Sequence, residues 1–163
     1  MFKSFFPKPS IFFLSAAIWI ILSTIIWFWF GDSIAKLIGL EIPKDAEPIV
    51  GLKYFITKKF IWFYIYYFIV TFIFAIFWFK YSPHRWQYWS ILGSSLIIFS
   101  TYFGVQVSVA INNWRRPFFD SIQSALEGNS DVTSYDLYIL LLIFAQIAFV
   151  SLAVFVLTRF FVS

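Results

Sequence analysis

Cysteine is absent from the 163-residue chain, and histidine occurs once, at His84. Without cysteine the chain can form neither a disulfide nor a thiolate metal site, and a single histidine without a nearby carboxylate argues against any metal site. No spacing predicts a general base beside a nucleophile, and the phosphate-binding pattern GxxxxGK[ST] does not occur. We therefore expect no catalytic residues, no metal and no cofactor, and a protein that is not an enzyme.

Charge is also scarce: only 12% of the residues are Asp, Glu, Lys or Arg, whereas 61% are hydrophobic. Twenty helical residues span about 30 Å, the hydrocarbon thickness of a bilayer, and only helices satisfy their own backbone there. Four stretches of at least twenty residues carry no formal charge, and they predict four membrane-spanning helices: Ile11–Phe30, Phe60–Phe79, Trp86–Trp114 and Leu137–Thr158.

The net charge of +4 comes from Lys and Arg residues that flank these stretches. This placement favours contact with lipid headgroups, and we expect membrane lipid and not nucleic acid as a partner. The first stretch is longer than the about 7–15 apolar residues of a cleaved signal peptide, and it ends in large aromatic residues. It is typical of an uncleaved anchor, so we treat residues 1–163 as one transmembrane domain.

Local signals divide the chain between the spans. Pro83 forces the chain out of helical geometry, so spans two and three should form an antiparallel hairpin. Pro117 and Gly128 suit the start and the stop of a helix, and Pro117–Leu126 is predicted to form a separate short amphipathic helix. Thr133 and Asp136 have the spacing of a capping box, which predicts the start of span four.

Span three contains two groups of residues that could carry a function. Ser100, Gly104 and Ser108 are four residues apart and would let another helix approach closely, although small residues are common in any packed membrane helix. Polar side chains are costly against lipid, so Gln106, Asn112 and Asn113 are expected to face protein or a water-filled cavity. Asn112 and Asn113 also suit the membrane interface.

The distribution of basic residues does not settle the orientation. With a cytoplasmic N-terminus the inside segments carry five Lys and Arg residues, and the outside segments carry seven. This count mildly favours the opposite orientation.

The segment Tyr81–Gly93, with the sequence YSPHRWQYWSILG, resembles the SbmA/BacA family of bacterial inner-membrane peptide transporters. The N-terminal strings MFKSFFPKP and FFLSA, the motif NW followed by PFFD, and the C-terminal FFVS resemble the same family. The resemblance covers nearly the whole chain and is weakest at Gly31–Lys59.

The resemblance implies a homodimer in the bacterial inner membrane, whose subunit is similar to part of the membrane domain of an ABC exporter. It also implies proton-driven uptake of antimicrobial and related peptides, and a cytoplasmic N-terminus. Members of the family are longer, and the acidic residues associated with proton coupling lie beyond the part that this chain resembles. No functional residue is therefore carried over.

We thus expect an all-α membrane protein with four transmembrane helices and a short amphipathic helix, corresponding to the N-terminal part of a peptide uptake transporter. The alternative is a truncated, non-transporting interaction protein that pairs with another membrane subunit.

Overall fold

The computed structural model describes residues 5–40, 48–128 and 133–162, and these residues form long helices and no β-strand. Each of the four helices is long and apolar enough to cross a membrane, which confirms the all-α membrane fold. Their bounds are α1, Pro9–Leu37; α2, Lys58–Tyr81; α3, Ser94–Leu126; and α4, Ser134–Val162.

Helix α3 is longer than the predicted third span. A π-helical turn, Trp89–Gly93, leads into it without a break, and the combined helix Trp89–Leu126 has 38 residues. Pro117 lies inside this helix, so the prediction of a separate helix over Pro117–Leu126 was wrong in its start. Pro117 donates no hydrogen bond to the carbonyl four residues earlier, but the helix continues on both sides of it.

The start of α4 agrees with the predicted capping box. The backbone N–H of Thr133 donates to Oδ2 of Asp136 over 2.9 Å, and the helix begins at the next residue, Ser134. The carboxylate thereby satisfies a backbone donor that would otherwise lack an acceptor at the helix start.

The chain packs as two units, of which the first contains Met1–Lys44 and Lys58–Ile97. Here α1 and α2 pack along rows of residues that are four apart, the spacing of ridges on a helix surface. The row on α1 alternates small and aromatic residues: Ser15, Trp19, Ser23, Trp27 and Gly31. The row on α2 is Trp62, Tyr66, Val70, Phe74 and Trp78.

The second unit contains Asp45–Thr57 and Ile98–Ser163. Its buried cluster comes from α3, α4 and the 3₁₀ helix Leu52–Ile56: Phe55, Phe103, Val107, Ala110, Trp114 and Ile147. The four members on α3 lie on one face, and Ala110 and Ile147 are completely buried. Apolar packing of α4 against this face of α3 therefore forms the core of the unit.

Gly51 allows the 3₁₀ helix to lie against α4. Its φ of 92° falls in the left-handed region that favours glycine, and an added Cβ would lie 3.2 Å from Cγ2 of Ile143. Four residues later, the Phe55 ring stacks on Phe103 with a centroid distance of 5.0 Å. The loop before α2 thus contributes directly to the core of the second unit.

Candidate functional site

The predicted seam on α3 lies on an open face of the helix. No atom lies within 4 Å of a Cβ added to Gly104, and Ser108 is exposed, with its hydroxyl donating to the Gly104 carbonyl of its own helix over 3.2 Å. Ser100 is half-buried. Within the described residues these three side chains do not form the packed face of α3, so a seam with another helix stays a prediction.

The three predicted polar residues are not brought together. Gln106 is half-buried, and its Oε1 accepts a hydrogen bond of 2.8 Å from the hydroxyl of Tyr54 on the 3₁₀ helix. Asn112 is exposed and Asn113 is half-buried. One partner of Gln106 therefore lies on the 3₁₀ helix, Tyr102 of α3 is another, and a cavity lined by all three polar side chains stays a prediction.

Burial raises the pKa of Tyr54 above the ordinary tyrosine value of 10.0. The phenol is removed from water by its packing, which disfavours the phenolate. Tyr54 therefore remains a neutral hydrogen-bond donor to Gln106 across the physiological pH range.

Aromatic side chains link α1 to α2 through hydrogen bonds that the sequence analysis missed. The indole N–H of Trp78 donates to Oγ of Ser15 over 3.1 Å, and the indole N–H of Trp19 donates to the Val70 carbonyl over 3.1 Å. The hydroxyl of Tyr66 donates to the Ser23 carbonyl over 2.6 Å. The alternation of small and aromatic residues on α1 is the sequence signal that could have revealed this contact.

Trp62 differs from the other aromatic residues in this contact. It is 2% exposed and stacks on Trp27 with ring centroids 6.0 Å apart. Its buried Nε1 finds no acceptor among the described residues. Trp62 therefore contributes to the α1–α2 contact through ring packing, whereas Trp19 and Trp78 also contribute a hydrogen bond.

A second polar group joins α2 to the start of α3 within the first unit. The hydroxyl of Tyr67 lies 2.7 Å from the Ser95 carbonyl and 2.9 Å from Oγ of Ser95, and Oγ1 of Thr71 is 3.2 Å from the same Oγ. All three side chains are neutral. The group holds two helices together and supplies no carboxylate for proton transfer.

The turn after α2 is tied to the N-terminal segment by His84. Nδ1 of His84 lies 2.8 Å from the Ser82 carbonyl oxygen, and Nε2 lies 3.0 Å from the Phe5 carbonyl oxygen. The hydroxyl of Ser90 also donates to the Phe5 carbonyl, over 2.6 Å. The sequence analysis assigned His84 no role, and these contacts give it one in holding the chain together.

The described residues contain no cluster of three or more His, Cys, Asp or Glu side chains that could hold a metal ion. What the geometry offers is therefore a set of neutral hydrogen bonds between helices, one imidazole in a turn, and an open stripe of small residues on α3.

A comparison with known families matches the part of the chain that starts in the turn after α2. Residues 83–163 match the sequence model of the SbmA/BacA-like family. Over this segment the chain is SbmA/BacA-like. The matched segment starts at Pro83, contains the His84 turn, and runs through α3 and α4.

The match to the SbmA/BacA-like family, together with four helices that can cross a membrane, indicates a multi-pass membrane protein of transporter-like function. The family match includes the open stripe and the Gln106 position on α3, but it assigns no role to either.

Proposed function

We propose that this SbmA/BacA-like chain takes part in the proton-driven uptake of peptides across the bacterial inner membrane. The observation that carries the proposal is the family match over residues 83–163 on a chain with four apolar helices. Antimicrobial peptides are the substrate class that the family resemblance implies.

The lack of charge in the four spans constrains how this chain would contribute to transport. Proton-coupled transport generally uses intramembrane Asp, Glu or His residues, and the four uncharged stretches contain none of these. We infer that the coupling group of the transport system lies outside these stretches. The four helices would then form part of the wall of the transport path.

Pairing with a second membrane subunit is part of the same proposal. Ser100, Gly104 and Ser108 leave one side of α3 open to a close helix contact, and a homodimer would place the same stripe on both subunits. A related membrane subunit could take the same position. The hydrogen bonds between α1 and α2 would hold these two helices together within each subunit.

An uptake assay tests transport by this chain. The chain is produced in a bacterial strain that lacks its own peptide uptake transporter, and the entry of a fluorescent proline-rich peptide is measured with and without a protonophore. We expect greater uptake than with an empty vector, and the protonophore should abolish the difference. An immunoblot of the membranes controls for production of the chain.

The alternative function is a non-transporting interaction protein, which is favoured by uncharged spans that also leave the small-residue stripe open. Because the chain has no cysteine, Gly104→Cys introduces one reactive site, and Val105→Cys gives a control on a neighbouring face. Crosslinking at position 104 without peptide uptake would support this alternative. Uptake by the chain alone would contradict it.

A further inference from the structure

The ring of His84 faces two hydrogen-bond acceptors. Its Nδ1 lies 2.8 Å from the carbonyl oxygen of Ser82, two residues earlier, and its Nε2 lies 3.0 Å from the carbonyl oxygen of Phe5. A carbonyl oxygen accepts hydrogen bonds and cannot donate them. Each ring nitrogen therefore makes a hydrogen bond to its carbonyl only when it carries a proton.

A neutral imidazole carries one ring proton, and an imidazolium carries two. In the neutral form one of the two carbonyls faces a nitrogen lone pair. In the protonated form both nitrogens donate, and a charged donor makes a stronger hydrogen bond than a neutral one. Protonation thus completes the link between the Ser82 turn and the Phe5 segment.

Ser90 shares the contact with Phe5 but cannot replace the ring. Its hydroxyl lies 2.6 Å from the Phe5 carbonyl, 3.0 Å from the Trp86 carbonyl and 3.5 Å from Nε2 of His84. The hydroxyl has one hydrogen and can serve one of these acceptors at a time. If it donates to a neutral His84, the Phe5 carbonyl loses both donors.

The charged groups around the turn are basic. Lys8 of the N-terminal segment lies with Nζ 4.5 Å from the Tyr81 ring centroid, and the Arg85 guanidinium lies 5.6 Å from the Trp86 ring. Lys80 is at the end of α2, and the other titratable groups beside the turn are the phenols of Tyr81 and Tyr88.

No carboxylate occurs in the sequence from residue 1 to 31 or from 48 to 119. The two carbonyl oxygens are therefore the acceptors in direct hydrogen-bond contact with the ring.

We propose that His84 is a proton-binding site that fastens the N-terminal segment to the turn between α2 and α3. The ring is half-buried, so a proton from the adjoining water can reach it. Binding of the proton gives both carbonyls a charged donor, and its loss leaves one of them facing a nitrogen lone pair. The segment before α1 is held more tightly in the protonated state.

The packing around Phe5 would transmit this change to its neighbours. The Phe5 ring contacts the Trp86 ring with a centroid distance of 5.2 Å, and Phe6 contacts Phe12 on α1 at 4.9 Å. Loss of the Nε2 proton leaves the Phe5 carbonyl with Ser90 as its donor, and the weaker link would loosen the Phe5–Trp86 contact and the start of α1.

A spin label on the N-terminal segment tests the site. Pro7 is exposed and the chain has no cysteine, so Pro7→Cys gives a single labelling position on the full chain in a bilayer. The mobile fraction of the label is measured by electron paramagnetic resonance at about pH 5 and about pH 8, on either side of the usual histidine titration. We expect the mobile fraction to rise about tenfold at the higher pH, the effect of losing one charge-assisted hydrogen bond.

Two variants separate this site from a general effect of pH. His84→Gln should give a mobile fraction that does not change with pH, because an amide does not titrate in this range. Ser90→Ala should raise the mobile fraction at both pH values and keep the pH dependence. Equal mobility of the label at both pH values in the chain that keeps His84 would overturn the proposal. A pH dependence that persists in His84→Gln would also overturn it.

A second measurement does not require the substituted chain to fold. His84 is the single histidine of the sequence, so ¹⁵N-labelled histidine reports on one ring. At about pH 5 both nitrogens should show bound protons with hydrogen-bond shifts, and at about pH 8 one nitrogen should lose both features. Loss of the proton without any change in the hydrogen bonds of the ring would contradict the proposed link.

Discussion

The indole N–H of Trp78 donates to the Ser15 hydroxyl over 3.1 Å, and this bond joins two membrane helices across 63 residues of sequence. Trp78 is also buried, with 3% of its surface exposed, and its ring contacts Phe12 at a centroid distance of 5.0 Å. One side chain thus combines ring packing and a hydrogen bond between α1 and α2. This combination can be separated by mutation.

Trp78→Phe should lower the free energy of unfolding, because it removes the hydrogen bond to Ser15 and the packing contacts of the larger indole ring. Interhelical hydrogen bonds in membranes contribute about 0.6 kcal/mol on average and up to about 1.7 kcal/mol. The measurement is unfolding in mixed detergent micelles. Trp29→Phe is the matched control, because Trp29 is 76% exposed. Equal losses in the two variants would show that the Ser15 contact contributes nothing.

Gly31 should tolerate alanine and reject leucine. An added Cβ would lie 3.8 Å from Trp27 and from Nε1 of Trp62, which is ordinary contact. Alanine therefore fits and should stabilise the helix by roughly 0.5–1 kcal/mol, whereas leucine overfills the site and should cost about 1–3 kcal/mol. Thermal unfolding of the two variants checks this order. A leucine variant as stable as the alanine variant would exclude close packing at Gly31.

Gly104→Leu should leave the stability of the single chain within about 0.5 kcal/mol, because the space around Gly104 is open. If the stripe pairs with a second copy, the same change should reduce copy-to-copy crosslinking through Ser108→Cys. The two readouts are taken on the same preparation. Undiminished crosslinking would remove the stripe as the pairing surface, whatever the stability shows.

Tyr54 and Gln106 should behave as a coupled pair. Their hydrogen bond of 2.8 Å is removed by either Tyr54→Phe or Gln106→Leu. In a double-mutant cycle the second substitution should therefore cost less than the first, with a coupling free energy of about 0.5–1.5 kcal/mol. Unfolding free energies of the four chains give this value. Strictly additive effects would mean that the bond does not form in the membrane.

The raised pKa of Tyr54 predicts a loss of stability in alkali. Burial makes the folded chain hold this proton more tightly than the unfolded chain, in which tyrosine titrates near 10.0. The stabilisation that this proton gives the folded chain is therefore complete below the unfolded-state pKa of 10.0, and it is lost as the pH rises through the folded-state pKa. Unfolding at about pH 8 and about pH 11 should show a larger loss for the wild type than for Tyr54→Phe. Parallel losses in both chains would assign the effect to other groups.

The four helices could be predicted from sequence because a lack of charge over twenty residues is a property of each segment alone. Helix ends were less predictable. Helix α1 continues past Phe30 to Leu37, since Asp32 and Lys36 can lie in water while the backbone hydrogen bonds continue.

The contacts between helices depend on which faces meet, and a single segment does not contain that information. The small residues on α3 suggested a seam there, whereas the described α1–α2 packing uses Ser15, Ser23 and Gly31. Gln106 was recognised as a polar residue in need of a partner, but Tyr54 lies 52 residues away in a loop. The role of His84 was missed because its partners are main-chain carbonyls, which any residue provides.

Pro117 has a mechanical consequence for the long helix in which it lies. Without an N–H, Pro117 gives no hydrogen bond to the carbonyl of Asn113, one turn earlier. A helix of 38 residues is about 57 Å long and exceeds the bilayer, and this gap in its hydrogen-bond ladder falls near its charged end. Bending is easiest at that point. A force on the segment after Pro117 would be taken up there as a hinge motion.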